Sequence, residues 1–259
     1  MAPEQKAPQR VEAQNQEAKR PATFIFLHGF GDDADGFINI AHQFQSASKL
    51  PHLSWIFPNA PHNHEANSTA WYTPSDFSPI PVGSSSSAPS KTQASREEDE
   101  SSESPESENE IFASVAYIEG LIDEELKKGV EIGRIVVGGF SQGCAVSLIL
   151  GTAGRFKGQL AGVVGLSGYL PKGSRAWEGR EELRVSREKE EGEKMKVFLG
   201  HGTKDMLVPM RIFREAKERL IYTVGEEGVE SHEYQGLGHT ASGAMFRDMC
   251  AFLEKVVPE

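Results

Sequence analysis

A serine enclosed by glycines follows an apolar run in "RIVVGGFSQGCAVSLIL", Arg134 to Leu150. Gly139 to Gly143 fit the pattern G-x-S-x-G, in which a sharp strand-to-helix turn exposes the serine hydroxyl and small neighbours let adjacent backbone pass closely. The apolar run before Ser141 predicts a buried strand, and the one after it predicts a helix, as this pattern requires. Ser141 is therefore the candidate nucleophile.

A serine hydroxyl needs a general base, and the base needs a carboxylate that orients it. In folds with this turn, the chain order is serine, acid, histidine. Asp205 follows the apolar run "MKVFLGHG", and His239 follows the short strand pattern "SHEYQG" in a glycine-rich loop. The sequence therefore predicts that Ser141, Asp205 and His239 form a catalytic triad.

Hydrolysis through such a triad also requires two N–H donors for the oxyanion of the tetrahedral intermediate. One donor should be the backbone N–H of Gln142, which directly follows the nucleophile, and the other should come from the loop after an early strand. The stretch "LHGFGDD" is that loop. We predict that the second donor is the backbone N–H of Phe30, since glycines on both sides leave it room.

The remaining histidines are weaker candidates for chemistry. His28 is expected to brace its loop, and His201 to pack at a strand end or cap a loop. The pair His62 and His64 lacks a third metal ligand at a convincing spacing. We therefore predict no metal site and no cofactor.

The elements that must position these residues alternate between strand and helix patterns along the chain. Such alternation predicts an α/β fold with a mostly parallel sheet and helices on both faces, and reactive groups at the carboxyl ends of the strands. Residues 1–20 are polar and predict a disordered tail, ahead of a domain spanning 21–259. Within it, an acidic, serine-rich insertion at about 83–110 predicts a disordered loop, and the polar tract at about 178–194 is expected at the surface.

Charge and composition exclude several classes of function. The net charge is −11 among 259 residues, without a basic cluster, which argues against nucleic acid as a partner. The two cysteines, Cys144 and Cys250, do not make a disulfide framework. No targeting signal is recognisable, and no apolar run approaches the roughly 20 residues that cross a bilayer. The expected location is cytoplasmic, with the nucleus also open to the protein.

Five motifs in order resemble the acyl-protein thioesterases, also called the phospholipase/carboxylesterase family of α/β-hydrolases. They are "FLHGFGDDADGF", "RIVVGGFSQGCAVSL", "LAGVVGLSGYLP", "HGTKDMLVP" and "GLGHTAS". The resemblance implies an α/β-hydrolase fold and the same triad and oxyanion donors. It also implies an acyl channel near the stretch from Trp71 to Pro79. The substrate-binding residues that it implies are Trp71, Tyr72, Tyr169, Leu170, Leu207 and Val208.

The same resemblance implies hydrolysis of acyl thioesters on protein cysteines, such as palmitoyl groups, together with lysophospholipid and carboxylester hydrolysis. It further implies weak homodimers and transient contact with membrane surfaces. Two alternatives remain open from the sequence: an esterase for short soluble esters, and a non-catalytic protein that binds acyl chains. The serine-rich insertion follows the channel stretch directly, which leaves the preferred acyl length open.

Overall fold

The computed structural model describes residues 5–74, 105–189 and 195–259. Strands β1 to β9 are Gln9–Val11, Ala22–Leu27, Leu53–Phe57, His62–Asn63, Ser68–Thr69, Ile135–Phe140, Gly162–Leu166, Lys196–Gly202 and Val229–Tyr234. Helices α1 to α6 are Ile38–Ser46, Pro105–Lys127, Gln142–Ala153, Ser174–Lys189, Met210–Val224 and Gly243–Val256. The predicted alternation of strands and helices is thus present.

Across the described ranges, one sheet has the strand order β1-β3-β2-β6-β7-β8-β9, and β4 pairs with β5 in a separate ribbon. Neighbouring strands of the large sheet are parallel, except that β1 runs antiparallel to β3. The prediction of a mostly parallel sheet is confirmed. Because the strands are parallel, the loops that follow β2, β6, β8 and β9 leave from the same edge of the sheet.

The sheet is covered by apolar helices on both faces, as predicted. Side chains alternate along a strand, so Ile25 of β2 packs into one core and Phe24 into the other. The first core contains buried residues of α2, α3 and α5, and the second contains those of α1 and α6. Strands buried on both faces explain the continuous apolar runs of the sequence.

The predicted disordered tail is wrong for the part that the structure describes, residues 5–20. Residues 9–11 form β1, which pairs with β3 through Arg10 opposite Ile56. Val11 is buried, and the Arg10 guanidinium lies 2.7 Å from Glu124 and 2.8 Å from Glu125 of α2. This segment is ordered by hydrogen bonds to the backbone of β3 and by ion pairs with two carboxylates of α2. The disorder prediction considered only the low apolar content of the segment, so it missed these partners.

The predicted disorder at about 83–110 falls mostly outside the described residues, which resume at 105. For residues 105–110 the prediction is wrong, because α2 begins at Pro105. Two acidic side chains in this part have backbone donors from elsewhere in the chain. Glu108 accepts a hydrogen bond from the N–H of Ala176 at 2.9 Å, and Glu110 accepts one from the N–H of Thr73. These acids therefore connect α2 to the first turn of α4 and to the loop at Thr73.

The polar tract at about 178–194 forms the greater part of α4, and residues 190–194 lie outside the described ranges. Most of its described side chains are at least partly exposed, as expected for a surface tract, but Arg180 is buried and donates to the carbonyl of Pro171. None of the helices in the described ranges is long and apolar enough to span a membrane.

Candidate active site

Ser141 occupies a sharp turn between β6 and α3. The strand ends at Phe140 and the helix begins at Gln142, so one residue carries the whole change of direction. Its φ and ψ angles are 54° and −115°, a region that residues with a side chain rarely occupy and that stores strain. The N–H of Ser141 donates to the carbonyl of Leu166 at 2.9 Å, which fixes the turn to the end of β7.

The glycines around Ser141 are a steric requirement of this turn. A β-carbon added at Gly139 would lie 2.5 Å from the carbonyl carbon of Gly143. One added at Gly143 would lie 2.5 Å from the carbonyl oxygens of both Leu27 and His28. These obstacles are backbone atoms, which cannot move aside as a flexible side chain can. The strand, the turn and the loop after β2 therefore pack closely only because both positions are glycine.

Asp205 lies in a tight turn just after β8. Its Oδ1 accepts hydrogen bonds from the N–H groups of Leu207 at 2.9 Å and Val208 at 2.8 Å. Burial raises the pKa of Asp205, but hydrogen bonds from His239 and the Val208 N–H outweigh it, so the pKa lies below its ordinary value. The carboxylate is therefore ionised near neutral pH and leaves Oδ2 to accept from a neighbour.

His239, in the loop after β9, connects the acid to the serine. Its Nδ1 lies 2.7 Å from Asp205 Oδ2, and its Nε2 lies 3.0 Å from Ser141 Oγ. An ionised carboxylate only accepts hydrogen bonds, so Nδ1 carries the hydrogen and Nε2 can accept from the serine hydroxyl. The structure thus brings the three predicted residues together in one hydrogen-bonded series, with the imidazole against the ring of Phe140 at 5.0 Å between centroids.

The two predicted oxyanion donors belong to the residue after Ser141 and to the loop after β2. Gln142 is the first residue of α3, so its N–H has no acceptor four residues earlier within the helix. The Gly29 carbonyl faces His28 Nδ1 at 2.7 Å, so the N–H of Phe30, on the other side of a trans peptide, points away from that ring. A β-carbon at Gly29 would lie 3.4 Å from Ser141 Cβ, which shows how closely this loop approaches the serine.

His28 braces the loop, as predicted. The N–H of Ala60 donates to its Nε2 at 3.0 Å, so Nδ1 carries the hydrogen and donates to the Gly29 carbonyl. Burial lowers the pKa of His28, against smaller opposing effects of the Gly29 hydrogen bond and nearby aspartates. A neutral imidazole with both nitrogens engaged is not available as a base.

His201 caps the turn that contains the acid, as predicted. It is fully buried, its Nε2–H donates to the Val208 carbonyl at 2.8 Å, and its ring stacks on Phe213. The rings of His62 and His64 lie 5.1 Å apart at the surface. Within the described part of the chain, no group of three or more histidine, cysteine or acidic side chains could hold a metal ion.

The predicted substrate-binding residues differ in their exposure. Trp71, Tyr72 and Leu170 are buried, Tyr169 is half-buried with its hydroxyl against that of Tyr72, and Leu207 is 37% exposed. Val208 is fully buried, and its backbone N–H and carbonyl bond Asp205 and His201; a role of these six residues in substrate binding stays a prediction. A side chain without exposed surface offers a substrate no contact in this conformation.

The sequence reasoning missed Ser114 and the side chain of Gln142. Ser114 lies on the buried face of α2, and its hydroxyl donates to the carbonyl of Trp71. A serine among the apolar residues of a helix face, next to Val115, was the available signal. The Gln142 side chain gave no signal, since G-x-S-x-G leaves that position open. Its amide contacts the backbone of Trp71 and Tyr72.

The family model described as Phospholipase/Carboxylesterase matches residues 8–98 and 95–257. The chain belongs to this family. The acyl-protein thioesterase 1 of Yarrowia lipolytica is 32% identical over 247 residues, which cover 93% of this chain and 95% of that protein. The acyl-protein thioesterase 1 of Emericella nidulans is 32% identical over 244 residues, with coverage of 93% and 92%. The resemblance drawn from the motifs is confirmed, and the chain is a serine hydrolase.

Two solved structures share the fold. SOBER1 of Arabidopsis thaliana has a TM-score of 0.66 and 24% identity, over 92% of this chain and 99% of that one. Acyl-protein thioesterase 2 of Zea mays has a TM-score of 0.63 and 22% identity, over 96% and 98%. These likenesses support the α/β-hydrolase fold alone.

Proposed function

We propose that the chain hydrolyses acyl thioesters on proteins, with Ser141 as nucleophile, His239 as general base and Asp205 as the acid that orients it. The observation that carries the proposal is the hydrogen-bonded series from Asp205 Oδ2 through His239 to Ser141 Oγ, at 2.7 and 3.0 Å. A base within this distance can take the hydroxyl proton as the oxygen attacks a carbonyl carbon.

The reaction follows from these positions. His239 Nε2 accepts the Ser141 proton while Oγ bonds to the acyl carbon, and the carbonyl oxygen becomes an oxyanion held by the N–H groups of Gln142 and Phe30. His239 then returns the proton to the leaving thiolate or alkoxide, and an acyl-serine remains. Water that gives a proton to His239 attacks this ester, and the collapse releases the fatty acid and regenerates the Ser141 hydroxyl.

The substrate class rests on the relatives and on the surroundings of the turn. The matched relatives are named acyl-protein thioesterases, and the family name includes phospholipases and carboxylesterases. Beside Asp205, the side chains of Met206 and Leu207 are 86% and 37% exposed, which leaves apolar surface next to the triad. We therefore propose S-acylated proteins, including palmitoylated ones, as substrates, with lysophospholipids and simple esters also accepted.

Two alternatives lead to different measurements. An esterase for short soluble esters would turn over acetyl and butyryl esters faster than long acyl thioesters. A non-catalytic binder of acyl chains would not use the triad at all, and the strained backbone of Ser141 argues against it, since such strain persists at functional positions. A cytoplasmic or nuclear location, weak homodimers and transient contact with membranes remain predictions.

A fluorophosphonate probe, which reacts with activated serines, tests the proposal. We expect the wild-type protein to gain one adduct at Ser141 by intact mass and peptide mapping, and to release palmitate from an S-palmitoyl peptide. Ser141→Ala should take no adduct and lose about 10⁴-fold or more of its turnover. The matched control is Ser147→Ala, because this buried serine of α3 donates to the Gly143 carbonyl and is not part of the proposed triad. A wild-type protein that gains no adduct would contradict the proposal and favour the alternative of a non-catalytic protein that binds acyl chains.

A further inference from the structure

We infer that the side chain of Gln142 is a positioning residue that fixes the Trp71–Tyr72 segment against the nucleophile turn and thereby sets the preference for long acyl chains. This inference rests on the proposed function, because it concerns the same site and acyl substrates. It assigns to the side chain a role separate from that of the Gln142 backbone N–H.

Both ends of the Gln142 amide are engaged by one short segment. The N–H of Trp71 donates to Oε1 at 2.8 Å, and Nε2 donates to the Tyr72 carbonyl at 2.7 Å. Gln142, Trp71 and Tyr72 are 1%, 2% and 4% exposed, so no water competes for these groups. A carboxamide can satisfy an N–H and a carbonyl of adjacent residues together, whereas an apolar side chain leaves both buried and unpaired.

The same segment is held from two further directions. The Trp71 indole Nε1–H donates to the His28 carbonyl at 2.9 Å, in the loop that carries Phe30. On the side of α2, the Ser114 hydroxyl donates to the Trp71 carbonyl. The segment is thus attached to the nucleophile turn, to the loop after β2 and to α2. Of these attachments, only that of Gln142 starts from a residue that also supplies an oxyanion donor.

This arrangement couples the acyl chain to the chemistry. Trp71 and Tyr72 are already buried, so a long acyl chain contacts their side chains only if the segment adjusts around it. The Gln142 amide keeps the backbone of the segment attached to the start of α3 during that adjustment, so without the amide a long acyl chain loses a fixed surface to bind. A short acyl group has less chain to place against the segment, so we expect its hydrolysis to depend mainly on the triad and the two backbone N–H donors.

The experiment compares kcat and KM for thioesters of short (C2–C4) and long (C12–C16) acyl chains. Gln142→Met keeps the length and the backbone N–H but removes both amide contacts. We expect its kcat/KM to fall about 10-fold more for long chains than for short ones, mainly through KM. Fluorophosphonate labelling counts the active sites, so that misfolded protein does not enter the rates.

Ser114→Ala provides a second variant outside the catalytic machinery, and Ser147→Ala is its matched control. Ser114→Ala should lower the long-to-short ratio about 3-fold, and Ser147→Ala should leave the ratio unchanged. Equal losses for both chain lengths in Gln142→Met, or an unchanged ratio in both Gln142→Met and Ser114→Ala, would overturn the inference. If Gln142→Met does not fold, the ratio in Ser114→Ala decides. Failure of the proposed function would be visible separately, as wild-type protein that neither reacts with the probe nor hydrolyses any ester.

Discussion

The carboxylate of Asp205 is held by the N–H of Val208, three residues later in the same turn, at 2.8 Å from Oδ1. The backbone of the turn therefore orients the carboxylate independently of its contact with the imidazole. With Oδ1 occupied, only Oδ2 remains for His239 Nδ1. Because the turn occupies Oδ1, the imidazole bonds Oδ2. This bond favours the tautomer of His239 that carries its hydrogen on Nδ1, so Nε2 can accept from Ser141.

Replacement of Asp205 by asparagine tests whether this carboxylate fixes the tautomer of His239. The amide oxygen of Asp205→Asn can still accept from the turn, but its NH₂ would then donate toward His239 and favour the tautomer with the hydrogen on Nε2. We expect kcat to fall about 10⁴-fold while the fold persists. Steady-state kinetics and circular dichroism measure the two effects. Asp123→Asn, which alters only a surface ion pair with Arg155, is the control, and similar kinetics in both variants would remove Asp205 from the mechanism.

The glycine requirement predicts opposite effects of one substitution at two positions. Gly143→Ala places a β-carbon 2.5 Å from two carbonyl oxygens, whereas Gly120, within α2, has nothing within 4 Å of an added β-carbon. We expect Gly143→Ala to lower the free energy of unfolding by about 2–4 kcal/mol and to abolish turnover. Gly120→Ala should raise it by about 0.5–1 kcal/mol, because alanine favours helix. Urea unfolding measures both, and equal stability of the two variants would contradict the close approach.

His201 offers a test of how strictly the acid's turn must be held. His201→Phe keeps the stacking on Phe213 but removes the hydrogen bond to the Val208 carbonyl. We expect kcat to fall about 10- to 100-fold, because a small displacement of a catalytic group has effects of this order. His201→Gln, which can still donate to that carbonyl, should retain more of the activity. A phenylalanine variant with wild-type kcat would show that the turn holds its shape without this bond.

Glu125 should make stability depend on pH. Burial raises its pKa, but hydrogen bonds from Lys128, Arg10 and Thr23 outweigh burial, so the pKa in the folded protein lies below its ordinary value. A lowered pKa gives stability that is complete above the unfolded-state value of about 4.3 and is lost as the pH falls through the folded-state value. Glu125→Gln should therefore lower the free energy of unfolding by about 1–3 kcal/mol at pH 7 and reduce its decline in acid.

The neighbour Glu124 provides the matched control for this pH dependence. Its side chain is 54% exposed and pairs with the same Arg10, whereas the Glu125 side chain is 5% exposed. An exposed pair contributes little, about 0–1 kcal/mol. Thermal unfolding of Glu124→Gln between pH 3 and 8 should follow the wild type closely. If both variants follow it, the buried carboxylate does not control acid stability.

The sequence was sufficient to predict that Ser141, Asp205 and His239 lie together, because each follows a recognisable strand. Buried strands of a parallel sheet appear as apolar runs, and the residues just beyond them must lie at one edge. Ser141, Asp205 and His239 therefore lie together once the alternation of strands and helices is recognised. The glycines that close the turn at Ser141 could be interpreted in the same way, from a known geometry.

Contacts between distant segments could not be predicted from local patterns. The Gln142 amide meets the backbone of residues about 70 positions earlier, and backbone groups are the same in every residue. The exclusion of Val208 from the surface depends on how its turn folds back, which its apolar character does not reveal. Likewise, β1 was missed because its pairing with β3 uses main-chain groups, and its one buried apolar residue is Val11.

β1 also covers an edge of the sheet, at β3, that could otherwise pair with another copy of the chain. Without residues 9–11, the outer main-chain N–H and carbonyl groups of Leu53–Phe57 would face solvent as a template for intermolecular pairing. The antiparallel strand β1 pairs with this edge and is held to α2 by the ion pairs of Arg10. The edge that remains on this side of the sheet is a strand of three residues that carries a charged side chain. We therefore expect this polar segment, which is remote from the candidate active site, to hinder pairing of other chains with β3.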